Sequence, residues 1–254
     1  MSTWRLILDG PADGAWNMAV DRAVLVAHEA GAVPPTLRLY SWERPTVSLG
    51  RFQNAEDVDR AVAEAHGVAV CRRPTGGRGV LHDDEVTYAV VAGVRDGLPR
   101  GVSASYRELC GALVEAYRAL GVAAELTART RGERDSGACY LHATPADLSL
   151  GAAKLSGSAQ VWLRESCLQH GSFVVSRDAS LEAALFGLGD GGARALSRAA
   201  TTLLEATGSR PDAAAVRDAV VEGFGRWFGV DLEPGELTAA ELVHARAEVG
   251  FFEV

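Results

Sequence analysis

Strand-like segments crowd the first 175 residues of this 254-residue chain, and helical periodicity takes over beyond them. Trp4–Leu8, Leu37–Ser41, Thr46–Leu49, Gly67–Arg72 and Glu85–Val91 read as strands, with Pro45 breaking the second from the third. Leu148 and Leu155 flank Gly151, which suits a turn between two short strands, and Ser166–Val175 reads as a strand pair or one bent strand. Helices interrupt this series. Gly14–Ala30 carries Met18, Ala19, Val24 and Leu25 at helical spacing behind a capping Asp13, Ala55–Ala65 opens acidic, and Ser105–Leu120 aligns Leu109, Leu113, Ala116 and Leu120. Arg194–Ala206, Asp212–Phe228 and Thr238–Glu248 are all predicted helical. The pattern predicts an α/β (α+β) fold with a mixed, largely antiparallel sheet flanked by helices, because the hairpin-like strand pairs argue against a doubly wound parallel sheet. We expect a single domain over residues 1–254 with a helical C-terminal portion from about 194 to 254.

Forty-eight per cent of the residues are hydrophobic, enough for a sizeable core. No apolar run approaches the roughly 18 residues that cross a membrane. Met1-Ser2-Thr3-Trp4-Arg5 lacks the basic and then apolar stretches of a secretory leader. A net charge of −8 argues against general nucleic-acid binding. Four cysteines without C-x-x-C spacing form neither a disulfide framework nor a zinc site. The expectation is a cytoplasmic protein without membrane or nucleic-acid partners.

Of the 25 basic residues only one, Lys154, is a lysine. A coding bias exchanges lysine for arginine on a solvated surface, where either cation serves. It does not do so where a compact, titratable ammonium is needed, so Lys154 is either a chance survivor or a residue with chemistry. After it come Leu155-Ser156-Gly157-Ser158-Ala159-Gln160 and then Gln169-His170-Gly171-Ser172, small residues that leave room for a bound chain, or a tightly packed strand with a turn at Gly171.

A second segment, Arg72-Arg73-Pro74-Thr75-Gly76-Gly77-Arg78-Gly79-Val80-Leu81-His82, ends a strand in a loop with three glycines in four positions. Such a loop is either a tight hairpin with solvated arginines or a cradle for a carboxylate, phosphate or acyl carbonyl. Among the thiols, Cys71, Cys110 and Cys167 sit in apolar contexts and are assigned to packing. Cys139 lies in a polar, glycine-containing stretch after Arg129, Arg131 and Arg134; it is either a bystander or a nucleophile, if Lys154 folds back beside it. His82-Asp83-Asp84-Glu85 reads as a solvated loop, since adjacent positions point to different faces, and no metal site is expected.

Together these motifs resemble the lipoate–protein ligase/octanoyltransferase family, whose fold is shared with biotin–protein ligases. Asp13–Asp21, Leu39–Trp42 and Ser48–Gln53 are similar to the family's first signatures, Arg72–His82 to its substrate loop, and Lys154–Gln160 with Gln169–Ser172 to its lysine motif. Cys139-Tyr140, fifteen residues before Lys154, is closest to the cysteine-dependent octanoyl-acyl-carrier-protein:protein N-octanoyltransferases. Asp147 stands where that subgroup suggests Glu, Ala146 where it suggests an aromatic, and Arg22 where an acidic residue is common.

The resemblance implies an octanoyl group moved from acyl carrier protein, through a Cys139 thioester, to a lysine on a lipoyl domain, such as glycine-cleavage H protein or 2-oxoacid dehydrogenase E2. Cys139 and Lys154 are then the catalytic pair, with Lys154 stabilising the thiolate and accepting the amine's proton. Substrate contacts fall to Arg72, Arg73, Thr75, Gly76, Gly77, Arg78, Gly79, Val80 and His82, and to Gly157, Ser158, Ala159, Gln160, His170 and Gly171, with Arg73 and Arg78 docking the carrier. No tightly bound cofactor is implied; octanoate or lipoate is the group transferred. The alternatives within the family are an ATP- and Mg²⁺-dependent lipoate–protein ligase and an octanoyl amidotransferase working between lipoyl domains. Outside it stands a catalytically silent acyl-binding module.

Overall fold

The computed structural model describes residues 2–127, 138–141 and 147–254. Arg129, Arg131, Arg134, Ser136, Gly137 and Ala146 lie outside the described residues. The first half of the chain runs β1 (Thr3–Ala12), α1 (Gly14–Glu29), β2 (Thr36–Trp42), β3 (Thr46–Leu49), α2 (Arg60–Ala65), β4 (Ala69–Arg72), β5 (Val80–His82), β6 (Glu85–Gly93) and α3 (Val102–Ala119). It continues with β7 (Glu125–Leu126), β8 (Leu148–Leu150), β9 (Ala153–Ser156), β10 (Ser158–Leu163), β11 (Ser166–Val174), α4 (Ala179–Leu185), α5 (Gly192–Ala199), α6 (Leu203–Thr207), α7 (Ala213–Phe228), β12 (Asp231–Pro234) and α8 (Ala239–Glu248).

Three sheets form. The largest has the order β10-β11-β6-β2-β1-β12, with β1 parallel to both β2 and β12 and the other pairs antiparallel. The second is β4-β3-β5 and the third is β7-β8-β9. The mixed sheet matches the expectation from sequence, and strand alternation explains how it is buried on both faces. Val86, Tyr88 and Val90 of β6 point to α3 and α7, meeting Leu109, Leu113, Val220 and Phe224. Ala89 and Val91 point the other way, to α1 and α8, meeting Met18, Val20 and Ala245. Hence the continuous apolar run in β6.

Several elements depart from the sequence reading. Ala55–Ala65 is not one helix: a 3-10 turn over Ala55–Asp57 precedes α2, because Val58 is extended and Asp59 caps a new start at Ala61 and Val62. Arg194–Ala206 is also divided. Ala200 leaves helical geometry, and Thr202 with Glu205 builds a capping box for α6. The break has a use, since Ala200 bridges to Lys154 and the Thr201 N–H donates to the Lys154 carbonyl at 2.8 Å. Ser166–Val174 is one unbroken strand, and Gly171 makes no turn. It pairs with Ser158 on one side and Tyr88 on the other, where a Cβ would stand 2.6 Å from Ser158 Oγ. Sequence periodicity missed β5, β7, β10, β12 and α4.

The last helix is tied to the first strand by a buried ion pair. Arg5 of β1 donates to both carboxylate oxygens of Glu241, at 2.9 and 2.6 Å, and to Thr36 Oγ1 at 3.1 Å. Removing one partner strands the other charge in the interior. Arg5→Met is expected to cost about 3 kcal/mol or more, read as a lowered urea midpoint.

Candidate active site

A cavity of about 490 Å³, its open mouth included, lies where the large sheet meets the β4-β3-β5 sheet. Met18 of α1, Trp42 of β2, Val80 of β5 and Ala159 of β10 supply apolar wall, and Cys139 with Gly157, Ser158, His170 and Gly171 borders it.

Cys139 opens a 3-10 turn whose position is set by the glycine loop: its N–H donates to the Gly79 carbonyl at 3.0 Å, and Ala138 bridges to Gly79. Cys139 is partly exposed, whereas Cys71, Cys110 and Cys167 are buried. Burial pushes the Cys71 and Cys110 thiols up to about 12, which makes them inert, and raises Cys167 likewise.

Lys154 of β9 is 2% exposed. Its Nζ lies 3.5 Å from Cys139 Sγ, 3.2 Å from the Cys139 carbonyl and 2.9 Å from Asp147 Oδ2. Burial opposes its charge, but Cys139 and Asp147 outweigh that penalty, and its pKa is raised above that of an ordinary lysine. Lys154 is therefore a fixed ammonium. Gly157 makes room for it: a Cβ there would stand 3.2 Å from Nζ and 3.6 Å from Sγ.

Two carboxylate–imidazole pairs share the cavity. His170 Nδ1 lies 3.0 Å from Asp21 Oδ2, and its Nε2 lies 2.7 Å from Thr75 Oγ1. Asp21 also accepts from Arg38 at 2.7 Å and from the Tyr40 hydroxyl at 3.0 Å. Burial lowers the His170 pKa, with Asp21 restoring part of it, so the ring is held neutral. The unfolded chain then binds a proton the native ring resists, so acidification below about pH 6.5 costs stability at His170. In urea titrations at pH 7.5 and 5.5, His170→Asn is expected to show the smaller loss on acidification.

The second pair corrects the reading of residues 82–85 as a solvated loop. Asp83 is exposed, but His82 and Glu85 are buried. His82 Nδ1 lies 2.9 Å from Glu85 Oε1 and Nε2 lies 2.8 Å from Ser48 Oγ, with the ring stacked on Trp42 at 4.1 Å. Burial favours protonation of Glu85, but His82 and the hydroxyls of Thr87 and Ser172 overcome it and hold the carboxyl below its ordinary value.

The structure gathers Arg73, Gly77, Val80, His82, Cys139, Gly157, Ser158, Ala159, His170 and Gly171 around one cavity. Lys154 stands just behind Cys139. Arg72, Thr75, Gly76, Arg78, Gly79 and Gln160 are not on its wall. Thr75 positions His170, Gly79 positions Cys139, and Arg72 donates to the Gly50 and Gln53 carbonyls at 3.0 and 2.7 Å. Gln160 bonds Ser105, Trp162 and Gln169, away from the cavity. Arg73 is buried and donates to the carbonyls of Ser48, Gly76 and Arg78 at 2.8, 2.8 and 2.7 Å. It holds the loop's shape and cannot also reach out to dock a partner. Sequence reasoning overlooked Ser48, Trp42, Thr87 and Ser172 on the wall and Asp21 and Glu85 behind it. Asp147 was noticed only as a departure from the family pattern. Among the described residues no cluster of three His, Cys, Asp or Glu could hold a metal, and no helix is long and apolar enough to cross a membrane.

Residues 13–225 match the model of the lipoyl protein ligase A/B catalytic domain. The chain is 42% identical over 257 residues to the octanoyltransferase LipM of Kyrpidia tusciae, covering 95% of this chain and 93% of that one. It is 34% identical to the octanoyltransferase LipM of Bacillus subtilis, covering 98% and 95%. Among solved structures, lipoate-protein ligase A bound with ATP shares the fold with a TM-score of 0.82 at 24% identity, covering 98% of this chain and 95% of that one.

Proposed function

The chain belongs to the lipoyl protein ligase A/B catalytic-domain family, and from that premise we propose that it is an octanoyltransferase of lipoate biosynthesis, working through a thioester on Cys139. The observation that carries the mechanism is the Lys154 ammonium 3.5 Å from the Cys139 sulfur, at the edge of a largely apolar cavity.

The Cys139 thiolate attacks the carbonyl of an octanoyl thioester borne by acyl carrier protein, and the donor leaves as a thiolate that takes its proton from solvent. The octanoyl chain lies along Met18, Trp42 and Val80. A lysine amine of a lipoyl domain, such as that of glycine-cleavage H protein or 2-oxoacid dehydrogenase E2, then attacks the acyl-enzyme and forms an amide. Splitting the transfer lets one acyl cavity serve two protein partners in turn. Lys154 stabilises the thiolate as nucleophile and again as leaving group, and the oxyanion between. Held as an ammonium by the Asp147 carboxylate 2.9 Å away, it is a poor proton acceptor, which revises the role expected from sequence.

The donor thioester supplies the free energy, so the reaction as written requires no bound cofactor and no ATP. A reducing cytoplasm keeps Cys139 available, and we assign the whole of residues 1–254 to one catalytic unit.

The test is transfer from octanoyl-carrier protein to a lipoyl domain without nucleotide. Amide formation without ATP supports the assignment. Modification only with ATP, Mg²⁺ and free lipoate or octanoate would replace it with a ligase. Gly157→Ala is expected to keep the fold but lower single-turnover transfer by about 10-fold, since a methyl there, 3.2 Å from Lys154 Nζ, displaces the ammonium beside the Cys139 sulfur.

A further inference from the structure

Transfer to an amine releases a proton, and Lys154 is already an ammonium. Three groups at the cavity have their hydrogens assigned by their partners. The Glu85 carboxylate only accepts, so it takes the Nδ1–H of His82 at 2.9 Å, and in the neutral ring Nε2 is then the lone pair. Arg73 only donates, so its Nη1–H at 3.2 Å occupies an acceptor site of Ser48 Oγ. The Ser48 hydroxyl proton then points along the 2.8 Å contact to His82 Nε2. Trp42 fixes the ring plane, and Ser48 and His82 both face the cavity that Cys139 borders.

We propose that Ser48 and His82 form the proton path for the acceptor amine, with Glu85 stabilising the imidazolium. This rests on the acyl-transfer reading above. The amine nitrogen bonds to the thioester carbon, and its proton moves to Ser48 Oγ as the Ser48 proton moves to His82 Nε2. The C–S bond breaks and Cys139 leaves as thiolate. The imidazolium then releases the proton to solvent, offsetting the one the donor thiolate took up on loading, so thiolate and imidazole are both restored and nothing is consumed beyond acyl group and amine.

His170 is the competing base, and its surroundings are less suited. Asp21, its carboxylate, is already matched by Arg38 at 2.7 Å, and Thr75, the hydroxyl on its Nε2, is off the cavity wall. Among the described residues the only ion pair of Glu85 is with His82; its other partners, Thr87, Ser172 and Trp42, are neutral donors. Its negative charge is available to a proton arriving on His82.

The experiment separates the two half-reactions. His82→Gln and, independently, Ser48→Ala are loaded with octanoyl from octanoyl-carrier protein and weighed intact, then mixed with a lipoyl domain. The expected result is near wild-type loading, with transfer slowed by about 10²-fold or more. Added imidazole is expected to restore part of the transfer in His82→Ala and none in Cys139→Ala. Wild-type transfer rates in His82→Gln and Ser48→Ala would overturn the proposal. So would equal slowing of both steps without imidazole rescue, the mark of a structural role. If wild type itself acquires no octanoyl group, the acyl-transfer reading fails instead.

Discussion

Cys139→Ala is expected to abolish transfer, lowering the rate by on the order of 10⁴-fold or more while the thermal midpoint stays near wild type. Stability should hold because the side chain is partly exposed and the local anchor, the N–H to the Gly79 carbonyl, belongs to the backbone. Activity should fall because, among the described residues, Cys139 is the one cysteine on the cavity wall, with the Lys154 ammonium 3.5 Å from its sulfur. Cys139→Ser keeps the geometry but replaces the thiolate with a much weaker nucleophile, so it should resemble the alanine variant. Cys71→Ala, Cys110→Ala and Cys167→Ala should reverse the pattern, costing stability through lost packing and sparing transfer in the protein that remains folded.

Lys154→Arg is the second large effect. Charge is retained, yet transfer is expected to fall by about 10²-fold or more. The ammonium occupies a slot between Asp147, the Cys139 carbonyl, Cys139 Sγ and the bare backbone of Gly157. A planar guanidinium is too wide for it and cannot present one compact charge to sulfur and carboxylate together. Lys154→Met should also destabilise the fold by about 3 kcal/mol, because it breaks the buried 2.9 Å ion pair with Asp147. The pH behaviour follows from the raised Lys154 pKa. Its charge contributes stability below its ordinary value of about 10.5 and loses it as pH rises through the higher folded value. An alkaline loss of activity well below pH 10 in wild type would therefore have another origin. In Asp147→Asn, with one anion gone, the loss attributable to Lys154 should move to lower pH.

What could be read from sequence depended on whether a residue's role was local. Gly157, Gly77 and Gly79 stand out because a Cβ there would meet the side chains of Lys154, Arg73 and Phe186. Lys154 stands out because an arginine-rich chain kept one amine. The two imidazole pairs were hidden for different reasons. His170 and Asp21 are separated by most of the chain and meet only when β11 packs against α1. His82 and Glu85 are three positions apart, and uninterrupted strand alternation would set them on opposite faces. They belong instead to β5 and β6, in different sheets, and the turn at Asp83–Asp84 brings both inward. Arg73 looked like a solvated cation because sequence cannot show that three carbonyls converge on its guanidinium. The Arg194–Ala206 helix divides where Ala200 and Thr201 pair with Lys154, a tertiary demand that overrides helical periodicity.

The claim at the centre is a covalent one, that Cys139 carries the acyl group between two proteins. The most direct measurement is the intact mass of the purified chain after incubation with octanoyl-carrier protein, without ATP or acceptor. The expected result is one added octanoyl group, mapped to Cys139 by peptide analysis, released by neutral hydroxylamine and absent from Cys139→Ala. An unmodified chain that nonetheless transfers octanoyl, or an adduct on another residue that survives Cys139→Ala, would contradict it.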